Sequence, residues 1–219
     1  MTRAGQVVPL VVCLVLVGCT RVIDDARPRA DVPVGPIPAT QVVDLVSPDG
    51  RTKTDSDGNL FITVEPERCA GMSREVEPPF IVDGRPAAQS GAVWDVPEEG
   101  GGAGIVELIG VYPTTYDAVA AIATVRRMID SCRGTTLSVR GTDGSHLDFD
   151  VLPPVDSGSA DIVLWSVNDP SGWACDNAFT AAFNAAIEIT ACNVANGFDV
   201  LAMAKAARQR IEALANTTA

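Results

Sequence analysis

The chain has 219 residues, of which 47% are hydrophobic, and its formal net charge is −12 at pH 7. This length and apolar content allow one domain with a packed core. The negative charge argues against binding to nucleic acid or to anionic lipid headgroups through a basic patch.

The N-terminus predicts an exported, lipid-anchored protein. Arg3 precedes an apolar run at 7–17, and these roughly 11 residues fall short of the ~20 needed to span a bilayer. Such a run is typical of a secretory signal peptide. It ends in LVGC at 16–19, which resembles a bacterial lipobox, in which small residues precede a cysteine that becomes acylated. We therefore expect a signal peptide at 1–18 and lipidation of Cys19, with diacylglycerol and fatty acyl chains such as palmitate. These chains would anchor the protein at the extracytoplasmic face of the cell membrane.

A proline-rich segment follows the expected cleavage point. Four prolines lie between residues 28 and 38, and they predict an extended tether over 19–40. The chain shows no internal repeat and no second linker of this kind. We therefore expect a single domain over 41–215.

The first half of this domain predicts short strands and one helix. The segment at 42–48 is apolar and fits either a helix or a strand, and the residues at 55–59 predict a turn. A helix should begin at a cap on Thr114 or Thr115, with Asp117 in its first turn. Its apolar stripe should consist of Val119, Ile122, Val125, Ile129 and Cys132, which recur at three- or four-residue steps, and Gly134 provides a stop. Cys132 then lies at the end of this helix, on its buried face. The predicted strands are at 60–66, 91–96 and 105–113.

The second half predicts a hairpin, a further strand and two helices. Strands at 135–141 and 146–152 flank the turn sequence TDGS, and another strand is expected at 160–168. The segment at 175–185 is rich in Ala and Phe and predicts a helix, followed by a strand at 186–190 and a final helix at 198–214. Six or seven strands with three or four helices indicate an α+β fold with a mainly antiparallel sheet.

Four cysteines remain once the signal peptide and Cys19 are set aside: Cys69, Cys132, Cys175 and Cys192. An even number in an exported protein predicts two disulfides, and three pairings are open. A helix of about 15 Å and a returning strand of about 20 Å can bring the third and fourth thiols together, which would leave the first two to pair. The spacings and the single histidine argue against a metal site, and we expect no cofactor.

The segment GWACDNAFTAAFNAAIEITAC at 172–192 and the basic, Ala-rich segment at 203–214 resemble the C-terminal signature of the PknH-like extracellular sensor domain family. The segments at 58–71 and 104–132 resemble its two earlier cysteine units. The likeness covers about 41–215. The family includes outer domains of actinobacterial membrane kinases and free lipoproteins, and this chain resembles the second kind because it has no kinase domain.

The resemblance implies one α+β domain, disulfides joining the first cysteine to the second and the third to the fourth, and a cleft that binds a small ligand. Two departures bear on that cleft. The family usually has an Asn-Asn pair before the last strand, where this chain has Phe183-Asn184. A family aromatic pattern after the first cysteine is replaced here by SREVEPPFIVDG.

Catalytic and metal motifs are weak. His146 lies beside a predicted turn, so we expect it to be an exposed residue rather than a catalytic imidazole. The start of a calcium loop at 55–59 lacks the glutamate expected at loop position 12, where proline stands. Of the tryptophans, Trp173 is expected to pack beside a disulfide. We take Trp94 and Trp165 as the candidate ligand-contacting residues and expect no catalytic residue.

Three functions compete. The first is a non-catalytic, membrane-anchored module that binds a small or cell-envelope ligand and acts through a membrane protein partner or by sequestering the ligand. The second is a cell-envelope hydrolase that uses carboxylates. The third is a protein-interaction lipoprotein whose cleft is filled and binds no ligand. The sequence favours the first because of the resemblance and the lack of a catalytic motif.

Overall fold

The computed structural model describes residues 36–52, 61–96, 103–170 and 172–217. Within them, nine strands form one sheet in which every neighbouring pair is antiparallel. The strands are β1 (Arg51–Thr52), β2 (Phe61–Glu65), β3 (Ala88–Val96), β4 (Ala103–Val111), β5 (Thr136–Gly141), β6 (His146–Val151), β7 (Ile162–Asp169), β8 (Trp173–Ala182) and β9 (Ala185–Asn193). Their order across the sheet is β1-β3-β4-β9-β8-β7-β6-β5-β2. The predicted α+β class with an antiparallel sheet is confirmed.

Helices cover both faces of this sheet. One face packs against α1 (Pro79–Val82), α2 (Ala118–Cys132) and the 3₁₀ helix Glu67–Met72. The other face packs against α3 (Val200–Thr217) and the 3₁₀ helix Ala39–Leu45. The central strands are therefore buried on both sides, and two hydrophobic clusters form, one on each face.

Helix α2 follows the predicted apolar stripe except at Val119, which was expected on the buried face and is 75% exposed. Its buried residues are Ile122, Val125, Ile129 and Cys132, which lie at three- or four-residue steps. Asp117 is the N-cap residue rather than a member of the first turn, and its side chain accepts a hydrogen bond from the Ala120 N–H at 2.9 Å. An aspartate at this position satisfies an N–H group that has no partner within the helix.

The helix predicted at 175–185 is wrong, because this segment is strand β8 and the turn after it. Its side chains alternate between the two faces: Phe179 joins the cluster beneath α2, and Ala178 joins the cluster beneath α3. Every residue of β8 after Trp173 is buried. A strand buried on both sides lacks the polar alternation that normally distinguishes a strand from a helix.

Both disulfides implied by the resemblance are present, Cys69–Cys132 and Cys175–Cys192. The first joins the 3₁₀ helix Glu67–Met72 to the end of α2. The second joins two residues that face each other on β8 and β9. It therefore clamps a strand to a strand, and the expected clamp of a helix to a strand is corrected.

Helix α3 is tied to the sheet by a buried ion pair. Arg210 pairs with Glu107 of β4, whose side chain is only 1% exposed. The Ser47 N–H also donates to Glu107, at 2.8 Å, and the Arg210 guanidinium donates to the Leu45 carbonyl at 2.9 Å. Burial raises the pKa of Glu107, although the Arg210 charge opposes the shift.

Smaller elements complete the comparison with the sequence. The apolar segment at 42–48 begins within a 3₁₀ helix, and the final helix runs from residue 200 to 217 rather than from 198 to 214. The predicted turn at 55–59, with its calcium alternative, and the tether up to residue 35 lie outside the described residues. In the part of the chain that the structure describes, no helix combines the length and apolar character needed to cross a bilayer.

Candidate functional site

A cavity of about 590 Å³ lies between α1, the turn after it, and the first three turns of α2. This volume is within the range of small-molecule sites in proteins. We call it the α1–α2 cavity. Its lining residues are Pro79, Phe80, Asp83, Gly84, Arg85, Pro113, Thr115, Tyr116, Asp117, Ala120, Ala121, Thr124, Val125 and Met128.

Two stacked tyrosines stand at one wall: Tyr116 lines the cavity, and Tyr112 lies behind it. The rings of Tyr112 and Tyr116 are 4.0 Å apart and nearly parallel. Two glycines leave room for the Tyr112 side chain. A Cβ atom at Gly84 would lie 2.6 Å from its ring, and a Cβ atom at Gly110 would lie 2.7 Å from its hydroxyl, so a larger residue at either position would clash. Its hydroxyl donates to the Ile81 carbonyl at 2.8 Å. Tyr112 is thereby fixed, and it holds Tyr116 against the cavity.

The Tyr116 hydroxyl is a buried polar group at this wall. It interacts with the Tyr112 hydroxyl but forms no well-aligned hydrogen bond with any described residue. Burial raises the pKa of both tyrosines, so both hydroxyls stay protonated at neutral pH. A buried hydroxyl without a good partner costs free energy, and a ligand atom that pairs with it would recover that cost.

Phe80 connects the cavity to the core. Its ring packs edge-on against Trp165 at 5.6 Å and against Phe179 at 6.0 Å. Gly71 allows this packing, because a Cβ there would lie 2.7 Å from the Phe80 ring and 2.9 Å from the Met128 sulfur. Phe80 and Met128 therefore form an apolar wall that rests on the centre of the sheet.

Three charged residues line the same cavity: Asp83, Arg85 and Asp117. The Asp117 carboxylate caps α2. Arg85 is exposed, and its guanidinium makes no ion pair or hydrogen bond with another described residue. Within the part of the chain that the structure describes, the cavity thus combines apolar walls with the unpaired Arg85 guanidinium and the buried Tyr116 hydroxyl.

A pair of buried carboxyl groups lies near these tyrosines. Glu188 of β9 is 4% exposed and Glu75 is 3% exposed. Burial, and then the charge of Glu75, raise the pKa of Glu188 well above its usual range. Glu188 in turn contributes to the raised pKa of Tyr112. Neither carboxyl lines the α1–α2 cavity.

Asn184 joins the N-terminal end of the described chain to the Tyr112 wall. Its side-chain carbonyl accepts from the Ile37 N–H at 2.7 Å, and its amide donates to the carbonyls of Ile37 and Tyr112 at 2.9 and 2.8 Å. Its own carbonyl accepts from the Tyr112 N–H at 2.7 Å. The point at which the tether enters the domain is therefore hydrogen-bonded to the wall of the cavity.

A second cavity of about 590 Å³ lies between α2 and the loop before β7, lined by Arg126, Asp130 and loop residues 154–160. Arg126 donates to the carbonyls of Ser159 and Ala160, so its hydrogen bonds are used within the loop. No aromatic side chain lines this cavity. The α1–α2 cavity is the better candidate because it offers aromatic walls and polar groups that lack partners.

The tryptophans predicted to contact a ligand lie elsewhere. Trp165 is 1% exposed, and its indole N–H donates to the Met72 carbonyl at 2.9 Å. It supports Phe80 from below. Trp94 packs with the cluster on the α3 side of the sheet. Neither lines the α1–α2 cavity, and a direct ligand contact by either stays a prediction.

His146 is exposed, as predicted, and lies on the open surface of the β5–β6 hairpin. Its Nε2 is 2.8 Å from the Ser138 Oγ, a contact between neighbouring strands. Among the described residues, no cluster of three or more His, Cys, Asp or Glu side chains is arranged to hold a metal ion. Cys19 lies outside the described residues, so its acylation stays a prediction.

Sequence reasoning missed Phe80, Tyr116, Arg85 and Met128. Tyr116 lies in the short connection between β4 and α2, where no periodic pattern indicates the direction of a side chain. Phe80 and Arg85 lie on and after a four-residue helix, too short to give a periodic signal. The one available signal was the departure SREVEPPFIVDG, which contains Phe80.

Comparison with known proteins identifies the family. Residues 28–219 match the family model described as the PknH-like extracellular domain. The chain belongs to the PknH-like extracellular domain family. As a member of the PknH-like family, it is an extracytoplasmic domain of the sensor type.

A solved structure agrees with this membership. The crystal structure of the extracellular domain of PknH from Mycobacterium tuberculosis matches with a TM-score of 0.63 and 16% sequence identity, covering 83% of this chain and 98% of that one. At this identity the likeness shows the PknH-like fold alone. CalU16 from Micromonospora echinospora matches with 12% identity over 60% of this chain and 99% of that one, at a TM-score of only 0.29. No curated protein matches the chain.

Proposed function

We propose that this protein is a lipoprotein, anchored through Cys19 at the extracytoplasmic face of the cell membrane, whose sensor-type domain binds a small amphipathic ligand in the α1–α2 cavity without catalysis. The observation that carries the proposal is the pairing of apolar walls with a buried, poorly partnered Tyr116 hydroxyl. Ligand sites in proteins are mostly apolar, with a few placed polar groups.

The lining favours one chemical class of ligand. Phe80, Val125 and Met128 suit a hydrocarbon or other apolar portion. Tyr116 can donate a hydrogen bond to a polar head, and Arg85 can pair with an acidic one. Fatty acids, lysophospholipids and acylated envelope fragments have this combination.

A thermal-shift screen with these three classes tests the proposal. We expect at least one class to raise the melting temperature of the wild-type protein. Ala121→Phe places a ring in the cavity and should abolish the shift, whereas Val194→Phe is a matched control because Val194 is 60% exposed and does not line the cavity. Failure of all three classes, or equal shifts in Ala121→Phe, would contradict the proposal.

Non-catalytic action is supported by where the acid–base groups lie. The Glu75 and Glu188 carboxyls are buried in the core, and the Ser138–His146 contact lies on an open strand surface. The rival, a carboxylate-dependent envelope hydrolase, predicts turnover of envelope substrates that one carboxylate substitution abolishes. We expect no turnover by the wild-type protein.

We infer that the protein acts through a membrane protein partner or by sequestering the ligand. The hydrogen bonds that join Ile37, Asn184 and Tyr112 support the first route, because a change at the Tyr112 wall would reach the segment that leads to the membrane.

A further inference from the structure

The turn between β8 and β9 carries an exposed aromatic residue in an unfavourable backbone conformation. Ala182 pairs with Ala185, so Phe183 and Asn184 form a two-residue turn. Phe183 has a φ of 52° and is 41% exposed. A bulky residue at positive φ is a conformational outlier, and asparagine is much better tolerated there. The strain is not offset by complete burial of the ring, which indicates a role outside the domain.

The same turn lies beside the point at which the N-terminal segment enters the domain. Asn184, the other residue of the turn, hydrogen-bonds both backbone groups of Ile37, two residues into the described chain. Ile37 lies only 18 positions after Cys19, and such a segment spans at most about 60 Å. The end of the sheet that carries Phe183 is therefore the end held nearest to the proposed anchor.

Other exposed apolar residues lie at this end. Pro113 directly follows Tyr112, whose N–H is bonded to the Asn184 carbonyl, and Pro113 is exposed. Val119, in the first turn of α2, is 75% exposed. We call Phe183, Pro113 and Val119 the turn-end surface. Pro113 also lines the α1–α2 cavity, so one rim of that cavity belongs to this surface.

We propose that the turn-end surface docks onto the lipid surface of the membrane, with Phe183 inserted at the headgroup–acyl boundary. The proposal rests on the anchor at Cys19 proposed above. A short tether makes the contact intramolecular, so even a weakly binding surface is populated when its membrane is close. The net charge of −12, with the two carboxylates of Asp83 and Asp117 against the one cation of Arg85 at the same end, favours neutral headgroups over anionic ones.

The test uses the acylated full chain in phosphatidylcholine vesicles, with or without bromine on the acyl chains as a fluorescence quencher. Phe183→Trp reports the turn end. Val194→Trp is the matched control, because Val194 is 60% exposed and follows the opposite end of β9, about 30 Å away. The emission added by each new tryptophan is measured against the wild-type protein, and circular dichroism checks folding.

We expect brominated lipid to quench the added emission of Phe183→Trp by about twofold or more, because insertion brings the ring within the ~5–10 Å interfacial layer. Emission from Val194→Trp should be unaffected. No quenching at Phe183→Trp, or equal quenching at both positions, would overturn the docking. If Phe183→Trp does not fold, Val119→Trp reports the same surface and should be quenched.

Flotation of the same vesicles separates the two proposals. A chain that does not float refutes the anchor and, with it, the docking. If the chain floats but brominated lipid quenches the added emission of neither Phe183→Trp nor Val119→Trp, the docking alone is refuted and the anchor stays supported.

Discussion

Asn184 shows how much one buried side chain can organise. Its amide group satisfies the Ile37 N–H and two carbonyls, all inside the protein. Asn184→Ala would leave these buried groups without partners, and we expect a loss of about 3 kcal/mol in the free energy of unfolding. Urea denaturation measures the loss, and hydrogen exchange should show a faster Ile37 amide.

Asn196→Ala is the matched control for this substitution. The Asn196 amide also donates to backbone carbonyls, those of Val167 and Cys175, but at 3.4 Å, and to the Asp176 carboxylate at 3.1 Å, and Asn196 is exposed. We expect Asn196→Ala to lower the free energy of unfolding by about 1 kcal/mol. Hydrogen exchange at the Ile37 amide should become faster only to the extent that global unfolding does. Equal losses in the two variants would show that Asn184 has no special role.

The raised pKa of Glu188 leads to a separate prediction about how the free energy of unfolding depends on pH. Its pKa is raised well above 4.5 in the folded protein, so the folded state keeps a proton that the unfolded chain releases near pH 4.5. Raising the pH through this window therefore lowers the free energy of unfolding, by up to about 1.4 kcal/mol per pH unit. Below pH 4.5 this contribution is fully present.

Glu188→Gln removes the titrating proton, so its free energy of unfolding should depend less on pH between 4.5 and 7. The stability of the variant relative to the wild-type protein should therefore increase as the pH rises across this range. Denaturant titrations across this range measure the difference. Glu67→Gln is the control, since the Glu67 side chain is 77% exposed. Parallel curves for wild type and Glu188→Gln would contradict the assignment.

At the scale of elements, the two disulfides should differ in their contribution. Cys69–Cys132 closes 63 residues and Cys175–Cys192 closes 17. The chain-entropy model assigns them about 4 and about 3 kcal/mol respectively, since a longer loop restricts the unfolded chain more. Replacing each pair by alanines and measuring urea unfolding should give the larger loss for the first pair. A larger loss for Cys175–Cys192 would show that the clamp between β8 and β9 acts mainly in the folded state.

Helix α2, which has one polar side, was easier to predict from the sequence than strand β8, which is buried on both sides. The α2 stripe from Ile122 to Cys132 was predicted correctly, and only Val119 was misplaced on it. Strand β8 lies at the centre of the sheet between two helical layers, and its alanines allow close packing on both faces. Their high helix propensity gave the wrong prediction, because tertiary packing outweighs a preference of a fraction of a kcal/mol per residue.

The candidate site was predicted less well than the fold. Its residues come from α1, the connection before α2, and α2 itself, and they meet only in the folded chain. The sequence predicted Trp165 as a ligand-contacting residue and could not show that Phe80 packs against it. Connections carry no periodicity, so the directions of Tyr116 and Arg85 depend on long-range contacts such as those at Gly84 and Gly110.

At the scale of the whole molecule, one antiparallel sheet lies between two helical layers and is braced by two disulfides. Family membership makes it an extracytoplasmic domain of the sensor type. The anchor at Cys19, the ligand in the α1–α2 cavity and the docking of the turn-end surface are proposals, and each has its own test above.

The most direct test of this central claim is the mass of the native protein extracted from the membrane of its own cells. We predict a mature chain that begins at Cys19, carries fatty acyl mass on its N-terminal peptide, and has Cys69, Cys132, Cys175 and Cys192 in two disulfides. A chain that retains residues 1–18, has no acyl mass and reacts with a thiol reagent at all four positions would contradict the account.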